Sequence, residues 1–305
     1  MGGCSTGFLG LAPVGDRKEY VQARNLYNQQ QYQAAITQLT EYIYKTDNVK
    51  RREARAYRLL GYSYEQLGQL NKALETYLEA LEFHPRNVPL LLAAAALYQR
   101  TGLTDKSQQL YDRVLEEEPA NLEALAGQAE NYRTFGFYSK AQTYYDRFFA
   151  LNPTADPHYR AQYATTFLNQ SNFEQAFIHI TMALAQDSSR PDYWLVSAKA
   201  NLGLGRMQQA LADVDTALKL TPHRADLQLY KITVLYQMGQ YRTSWQEAQH
   251  FLKTQPQEPL GLLLAALNEW KLGYYSLAAT HLKQAAGDPK TFVGQVAQAL
   301  LENWK

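Results

Sequence analysis

The hydrophobic residues of this chain recur with a helical period over short blocks, and glycine and proline bracket many of the blocks. Residues 68–85 read GQLNKALETYLEALEFHP, an amphipathic run between a glycine and a proline. The pattern predicts a helix that follows Gly68 and ends at Pro85, because proline cannot continue a helix. The same punctuation brackets GLTDKSQQLYDRVLEEEP at 102–119 and GFYSKAQTYYDRFFALNP at 136–153.

The bracketed blocks repeat at a fixed interval. The glycines stand 34 residues apart, except for one step of two periods plus one residue, at 68, 102, 136, 205, 239 and 273. The prolines keep the same period and the same slip, at 85, 119, 153, 222 and 256. One block is missing from both series. It is the stretch between Ser171 and Ser188, where other residues replace the glycine and the proline. A fixed period of this length is the signature of stacked helical repeats.

Each repeated position has a physical explanation. The glycine ends a first helix and reverses the chain, where a left-handed conformation costs other residues about 1–2 kcal/mol. Small residues, such as Gly61 and Ala73, occupy one place in each helix, and we expect them to face each other so that the helices approach to about 8 Å. The remaining aromatic positions are predicted core; they include Tyr64, Tyr98, Tyr132, Tyr77, Tyr111 and Tyr145.

Residues 54–87 carry the fullest version of this pattern, with Tyr57, Leu60, Gly61, Tyr64, Ala73, Tyr77, Ala80 and Pro85. These residues occupy the consensus places of the tetratricopeptide repeat, and the chain resembles that family over nearly all of 16–305. The resemblance implies an all-α fold, a right-handed superhelical solenoid of about eight helix-turn-helix repeats with a C-terminal capping helix.

The repeats predicted from the pattern are 16–49, 54–87, 88–121, 122–155, 157–190, 191–224, 225–258 and 259–292. The first is degenerate: Gln30 replaces the glycine and Asp47 the proline, and its start carries a capping-box pattern from Asp16 to Glu19. Asn201, Ile232 and Glu269 depart from the pattern in later repeats. Residues 293–305 are predicted to form the capping helix, whose apolar face contains Val293, Val296, Leu300 and Trp304.

Composition excludes several classes of function. Lys and Arg number 30 against 29 Asp and Glu, so the charge balance gives no sign of nucleic-acid binding. The six histidines never stand at metal-ligand spacing, and the chain has neither a phosphate-binding glycine loop nor a Gly-x-Ser-x-Gly motif. Apolar runs long enough to span a membrane are absent. We therefore expect no enzyme activity, no cofactor, no metal site and no small-molecule substrate.

The only cysteine, Cys4, lies in the opening sequence MGGCST, at the start of a predicted flexible tail over 1–15. Two lipid modifications compete with an unmodified thiol. Gly3-Cys4-Ser5 resembles the end of a bacterial lipobox, although Met1 stands where leucine is usual and the apolar signal segment is missing. Alternatively, the motif fits myristoylation of Gly2, with Cys4 available for palmitate. The lipobox interpretation predicts a protein anchored to a bacterial membrane on its periplasmic side.

The family resemblance also implies a concave surface lined by first helices. Transferred residue by residue, it places arginines and a tyrosine toward the N-terminal end: Arg55, Arg58, Tyr62, Arg100 and Arg133. Toward the C-terminal end it places apolar and aromatic residues: Tyr230, Tyr236, Leu263, Leu267 and Trp270. Family members that clamp a peptide's terminal carboxylate require Asn at the position of Tyr62, so the chain departs from that mode. The apolar stretch around Leu263 is either covered by the chain's own terminus or available to a partner.

These observations predict a protein-protein interaction scaffold that binds a protein or peptide segment in its concave groove. The N-terminal motif predicts membrane tethering, in the manner of pilotin-like or envelope-assembly adaptors of pilus or secretion systems. The alternative is a soluble peptide-binding adaptor or co-chaperone of the cytoplasm, without an anchor.

Overall fold

The computed structural model describes residues 18–44 and 53–304, and across these ranges the regular secondary structure consists of seventeen α-helices. The chain divides into two compact units, with the boundary between Pro153 and Thr154. The predictions made for Gly2, Cys4, Asp16 and Asp47 concern residues outside the described ranges.

Unit 1 is a stack of four helix pairs. Its helices are α1 Lys18–Asn28, α2 Tyr32–Tyr44, α3 Ala54–Gln66, α4 Leu70–Phe83, α5 Val88–Arg100, α6 Thr104–Glu117, α7 Leu122–Thr134 and α8 Tyr138–Leu151. Each odd-numbered helix is the first of a pair and packs on the second, and each second helix packs on the following first helix. One hydrophobic core cluster extends from α1 to the start of α7.

Unit 2 has the same arrangement with one additional helix at its end. Its helices are α9 Pro157–Asn169, α10 Phe173–Gln186, α11 Pro191–Gly203, α12 Met207–Leu220, α13 Ala225–Gln237, α14 Tyr241–Thr254, α15 Pro259–Lys271, α16 Tyr275–Ala285 and α17 Phe292–Asn303. The predicted all-α fold class of stacked helix pairs is confirmed.

The turns between paired helices use a left-handed residue, as the glycine period predicts. All six periodic glycines have φ between 70° and 83°, and an added Cβ on Gly102 would meet no other atom within 4 Å. In the two repeats that lack the glycine, Gln30 and Ser171 take φ values of 61° and 57°. These two substitutions therefore keep the turn geometry at the cost of backbone strain.

Aromatic rings fill the space between paired helices. Tyr77, Tyr111 and Tyr145 are all buried, as the pattern predicts. The prediction that Gly61 makes room for a facing small residue needs correction, because a Cβ built on Gly61 would lie 2.1 Å from Cε1 of Tyr77. The small residue on the first helix therefore accommodates a tyrosine ring of the second helix.

The last helix closes unit 2. α17 packs on α15 and α16, and Val293, Val296, Leu300 and Trp304 pack against the core cluster of α13–α17, as predicted for a capping helix. Among the helices that the structure describes, none is long and apolar enough to cross a membrane.

We expect replacement of Ser171 with glycine to raise the free energy of unfolding by about 0.5–1 kcal/mol, because glycine adopts the left-handed conformation without strain. Gln30→Gly should act in the same direction. Gly102→Ala is the matched control with the opposite sign and should cost about 1 kcal/mol. Thermal and denaturant unfolding measure all three, and a Ser171→Gly variant less stable than wild type would contradict the turn assignment.

Candidate protein-binding faces

The first helices of unit 1 form a shared face. α1, α3, α5 and α7 contact one another in succession, whereas the second helices of successive repeats approach less closely. A stack whose first helices lie closer together curves toward them, so this face is the concave side of the unit. We call it the first-helix face of unit 1.

Arg55, one of the predicted binding residues, is held within the unit. Its Nε donates to Oε2 of Glu53 at 2.8 Å, and its guanidinium lies 4.6 Å from the ring centroid of Tyr20 on α1. The same Glu53 accepts a 2.7 Å hydrogen bond from the hydroxyl of Tyr42. The hydrogen bond to Glu53 raises the pKa of Arg55. Arg55 therefore links the first two helix pairs, and Glu53 neutralises much of the charge that a partner could bind.

Arg100 and Arg133 are also paired. Arg100 on α5 forms an ion pair with Glu65 on α3, and Glu65 also accepts a 2.7 Å hydrogen bond from the hydroxyl of Tyr77. Arg133 forms two hydrogen bonds with Glu130 one turn earlier on α7, the first with its Nε at 2.8 Å. Their carboxylate partners neutralise much of the charge expected to attract an acidic ligand.

Arg58 and Tyr62 differ from the other predicted residues of unit 1. Within the ranges that the structure describes, the Arg58 side chain forms neither an ion pair nor a hydrogen bond. Tyr62 lies one turn further along α3, is 37% exposed, and packs its edge at 6.0 Å on the ring of Tyr77. Burial raises the pKa of the Tyr62 phenol, and the nearby Arg58 guanidinium opposes the rise. Together they present a cation and an aromatic ring to solvent.

The predicted tyrosines of unit 2 lie on one helix, α13. Tyr230 is half-buried, and burial raises its pKa to about 12. Tyr236 is also half-buried, and its ring lies 5.3 Å from that of Tyr241 at the start of α14. Both rings are thus partly used for packing within the unit.

The apolar residues predicted to await a partner are largely covered by the chain itself. Leu263 is only 6% exposed, and it lies in the core cluster of unit 2, on which Leu267 packs. Trp270 stacks on Trp304 of the capping helix, with 3.9 Å between ring centroids. Of the two alternatives for this stretch, the structure supports coverage by the chain's own terminus, because α17 supplies the apolar surface that covers α15.

A polar network that the sequence analysis did not identify lies in the core of the same unit. Glu269 is fully buried on α15 and pairs with Nδ1 of His281 at 2.8 Å. The indole N–H of Trp245 and the amide of Gln249 also donate to Glu269, at 3.1 and 3.2 Å. Its departure from the repeat pattern was the available signal, because a charged residue in a core position needs internal partners.

A second polar cluster joins α11 to α12. Oδ2 of Asp213 accepts hydrogen bonds from Ser197 at 2.7 Å and from Asn201 at 2.8 Å. Asn201 is again a departure from the repeat pattern. In the described part of the chain, no group of three or more histidine, cysteine, aspartate or glutamate residues is arranged to hold a metal ion.

Comparison with known proteins identifies the repeat. A family model described as "Tetratricopeptide repeat" matches residues 20–88. No curated protein matches the chain.

Solved structures share the fold at low sequence identity. A tetratricopeptide repeat protein from Parabacteroides merdae ATCC 43184 is 17% identical, with a TM-score of 0.60 over 84% of this chain and 99% of that one. The pilF protein of Pseudomonas aeruginosa is 20% identical, with a TM-score of 0.57 over 70% of this chain and 97% of that one. YrrB, a tetratricopeptide protein "with an unusual peptide-binding site", is 14% identical, with a TM-score of 0.55 over 62% and 97% of the two chains.

Removing the indole that covers α15 tests the assignment of α17 as an internal cap. We expect Trp304→Ala to lower the free energy of unfolding by about 2 kcal/mol, because it removes the partner of Trp270. Phe292→Ala, on the same helix but 80% exposed, should stay within about 0.5 kcal/mol of wild type. Denaturant unfolding measures both, and equal effects would show that the stacking contributes no stability.

Proposed function

We propose that this chain, a tetratricopeptide repeat protein, is a non-enzymatic scaffold that binds a segment of a partner protein on the first-helix face of unit 1. The fold supports a protein-interaction role, and YrrB provides an example of a peptide site on the same fold. The observation that carries the assignment to this face is the pair formed by Arg58 and Tyr62. Among the described residues Arg58 has no ion-pair partner, and Tyr62 is a partly exposed aromatic ring on the same concave surface.

The chemistry of this pair defines the ligand. Tyrosine and arginine are the residues that most often dominate binding energy at protein interfaces. Tyr62 offers its ring to an apolar side chain, and Arg58 offers a guanidinium to a carboxylate on the same segment. Glu123 of α7 lies close enough to raise the pKa of Tyr62, and burial raises the pKa of Glu123 itself. The partner segment we propose is therefore apolar at one residue and acidic beside it, with an extended or helical backbone.

Catalysis is not part of this proposal. The buried pair of Glu269 and His281 has its partners within unit 2, and Arg55, Arg100 and Arg133 of unit 1 are engaged by carboxylates. Groups held in this way stabilise helix packing. A scaffold uses the remaining exposed groups for binding.

We further propose that the N-terminus tethers the scaffold to a membrane through lipid on Cys4, or through myristate on Gly2. The sequence MGGCST supports both routes. With a lipidated Cys4 the protein acts at the periplasmic face of a bacterial outer membrane, as a pilotin-like or envelope-assembly adaptor for pilus or secretion proteins. Without lipid it is a soluble peptide-binding adaptor or co-chaperone of the cytoplasm.

A photo-crosslinking amino acid at Tyr62 tests the binding face. We expect p-benzoylphenylalanine at position 62 to form an adduct with a partner in native cells, and the same amino acid at Leu78 to form none. Leu78 is the matched control because it is 38% exposed, against 37% for Tyr62, but lies on the second helix α4. Equal crosslinking from both positions would move the partner away from the concave face.

Charge reversal then tests the role of Arg58 with the partner so recovered. Arg58→Glu should slow association about fivefold at low salt, because steering by a partly exposed charge acts on the association rate. The effect should largely disappear at high ionic strength, where exposed charges are screened. Stopped-flow or surface-based kinetics measure it. An unchanged association rate at low salt would remove Arg58 from the site.

The anchor has an independent test. We expect the protein from its native host to fractionate with membranes and Cys4→Ser to release it, with Gly2→Ala releasing it instead if myristate is the anchor. Mass spectrometry of the native N-terminus separates the two routes by the modified residue. An unmodified N-terminus that begins at Met1 would favour the soluble adaptor and leave the binding face unaffected.

A further inference from the structure

Unit 2 contains a cleft between the second helices α10 and α12, with the first helix α11 as its floor. The cleft has a volume of about 680 Å³. Aromatic rings of Phe177 and Trp194 contribute to its wall, and the polar cluster of Ser197, Asn201 and Asp213 contributes to its floor. It belongs to unit 2, whereas the first-helix face belongs to unit 1.

The cleft arises where the sixth repeat departs from the repeats of unit 1. In the second, third and fourth repeats the eleventh residue is a tyrosine whose ring lies beneath the ammonium of the nineteenth residue, a lysine, at 5.1–5.7 Å. These pairs are Tyr64 with Lys72, Tyr98 with Lys106, and Tyr132 with Lys140. In the sixth repeat the same positions hold Asn201 and Gln209. The ring and the covering cation are thus both missing, which leaves room at the cleft.

The polar floor of the cleft is incompletely satisfied. Ser197 and Asn201 are each 3% exposed, and both donate to Oδ2 of Asp213. The carbonyl oxygen Oδ1 of Asn201 is buried and accepts no hydrogen bond. Within the described ranges Asp213 forms no ion pair, and burial raises its pKa, against the effect of its two hydrogen bonds. A half-buried carboxylate without a counter-ion is costly, and a cation would relieve that cost.

The following repeats hold acidic residues at related positions, and there the chain itself supplies a lysine or a histidine as partner. In the seventh repeat, Glu247 occupies the position of Asp213 and pairs with Lys231 at 3.1 Å. In the eighth repeat, Glu269 occupies the position of Asn201 and pairs with His281, which stands at the position of Asp213. Within the described part of the chain, the Asp213 carboxylate accepts hydrogen bonds from two neutral side chains and forms no ion pair.

We propose that this cleft binds a basic side chain of a partner protein, an arginine or a lysine, with Asp213 as its counter-charge. The cation enters between the aromatic side chains of Trp194 and Phe177, since aromatic faces attract guanidinium and ammonium groups. An ionic hydrogen bond to Asp213 then supplies the specificity for positive charge.

Arg206 at the rim shows that the aromatic wall accepts a cation. Its guanidinium lies 4.9 Å from the ring centroid of Phe177, and in the described structure it forms no ion pair with Asp213. It therefore leaves the carboxylate open while repelling an incoming cation. Removing this side chain should strengthen binding of a basic group.

The experiment uses N-acetyl-arginine amide as the probe and the indole N–H resonance of Trp194, assigned with Trp194→Phe, as the reporter. We expect a saturable shift, at least tenfold weaker binding of the neutral isostere N-acetyl-citrulline amide, and at least tenfold weaker binding to Asp213→Asn. Glu247→Gln is the matched control at the same position of the next repeat, and should bind as wild type. Arg206→Ala, an exposed and structurally mild change, should bind about threefold more tightly.

Several outcomes would overturn the proposal. They are the absence of a saturable shift, equal binding of the citrulline probe, wild-type affinity in Asp213→Asn, or weaker binding to Arg206→Ala. Thermal unfolding of each variant confirms that it is folded, and Arg206→Ala keeps the test decisive if Asp213→Asn is not. Since the cleft and the first-helix face lie in different units, failure here leaves the crosslinking result at Tyr62 unaffected.

Discussion

The helix pairs of this protein depend on one backbone conformation, repeated at the end of each first helix. There the chain takes a positive φ, and the following amide donates back into the helix, as the amide of Gln69 does to the carbonyl of Tyr64 at 2.9 Å. This bond satisfies a carbonyl that the helix end would leave unpaired and turns the chain so that the second helix packs back on the first. Without this turn, the two apolar faces could not bury each other.

Because this turn holds each helix pair together, the residue at a single position can change with little effect on the helices around it. The eleventh residue of a repeat is Tyr64 in the second repeat, Asn201 in the sixth and Glu269 in the eighth, yet all three lie on helices of thirteen residues. What changes is the local chemistry. The same place in the fold is a cation-covered ring, a polar cleft or a buried carboxylate paired with a histidine, because neighbouring repeats supply the packing that holds the helix.

The charged residues show the same division between those that hold the helix pairs together and those that vary. Several arginines that the sequence places near the concave face join one element to another, as Arg100 does when it pairs with Glu65 of the preceding repeat. Such ion pairs neutralise charge that would otherwise be available to a binding partner. Unit 1 consequently offers a partner fewer free charges than its number of arginines indicates. Arg58 and Tyr62 stand out because, among the residues that the structure describes, Arg58 has no carboxylate partner and Tyr62 is partly exposed.

The sequence by itself determined the helices, the turns and most of the core. The reason is that these features follow from local rules: a helical period of apolar residues, a left-handed turn residue and a proline that ends a helix. Even the degenerate turns at Gln30 and Ser171 could be placed by counting. The capping helix was predicted in the same way, from the apolar face that includes Leu300.

The tertiary structure alone decided which side chains remain for a partner. Arg55 lies against Tyr20, and Trp270 stacks on Trp304, and in both cases the contact joins different repeats or elements. The rotation between neighbouring repeats sets these contacts, and no local pattern in the chain encodes it. For the same reason, the sequence shows only that Asn201 and Glu269 depart from the repeat pattern. The structure shows that the side-chain oxygen of Asn201 accepts no hydrogen bond. It also shows that Glu269 is paired with Trp245, Gln249 and His281.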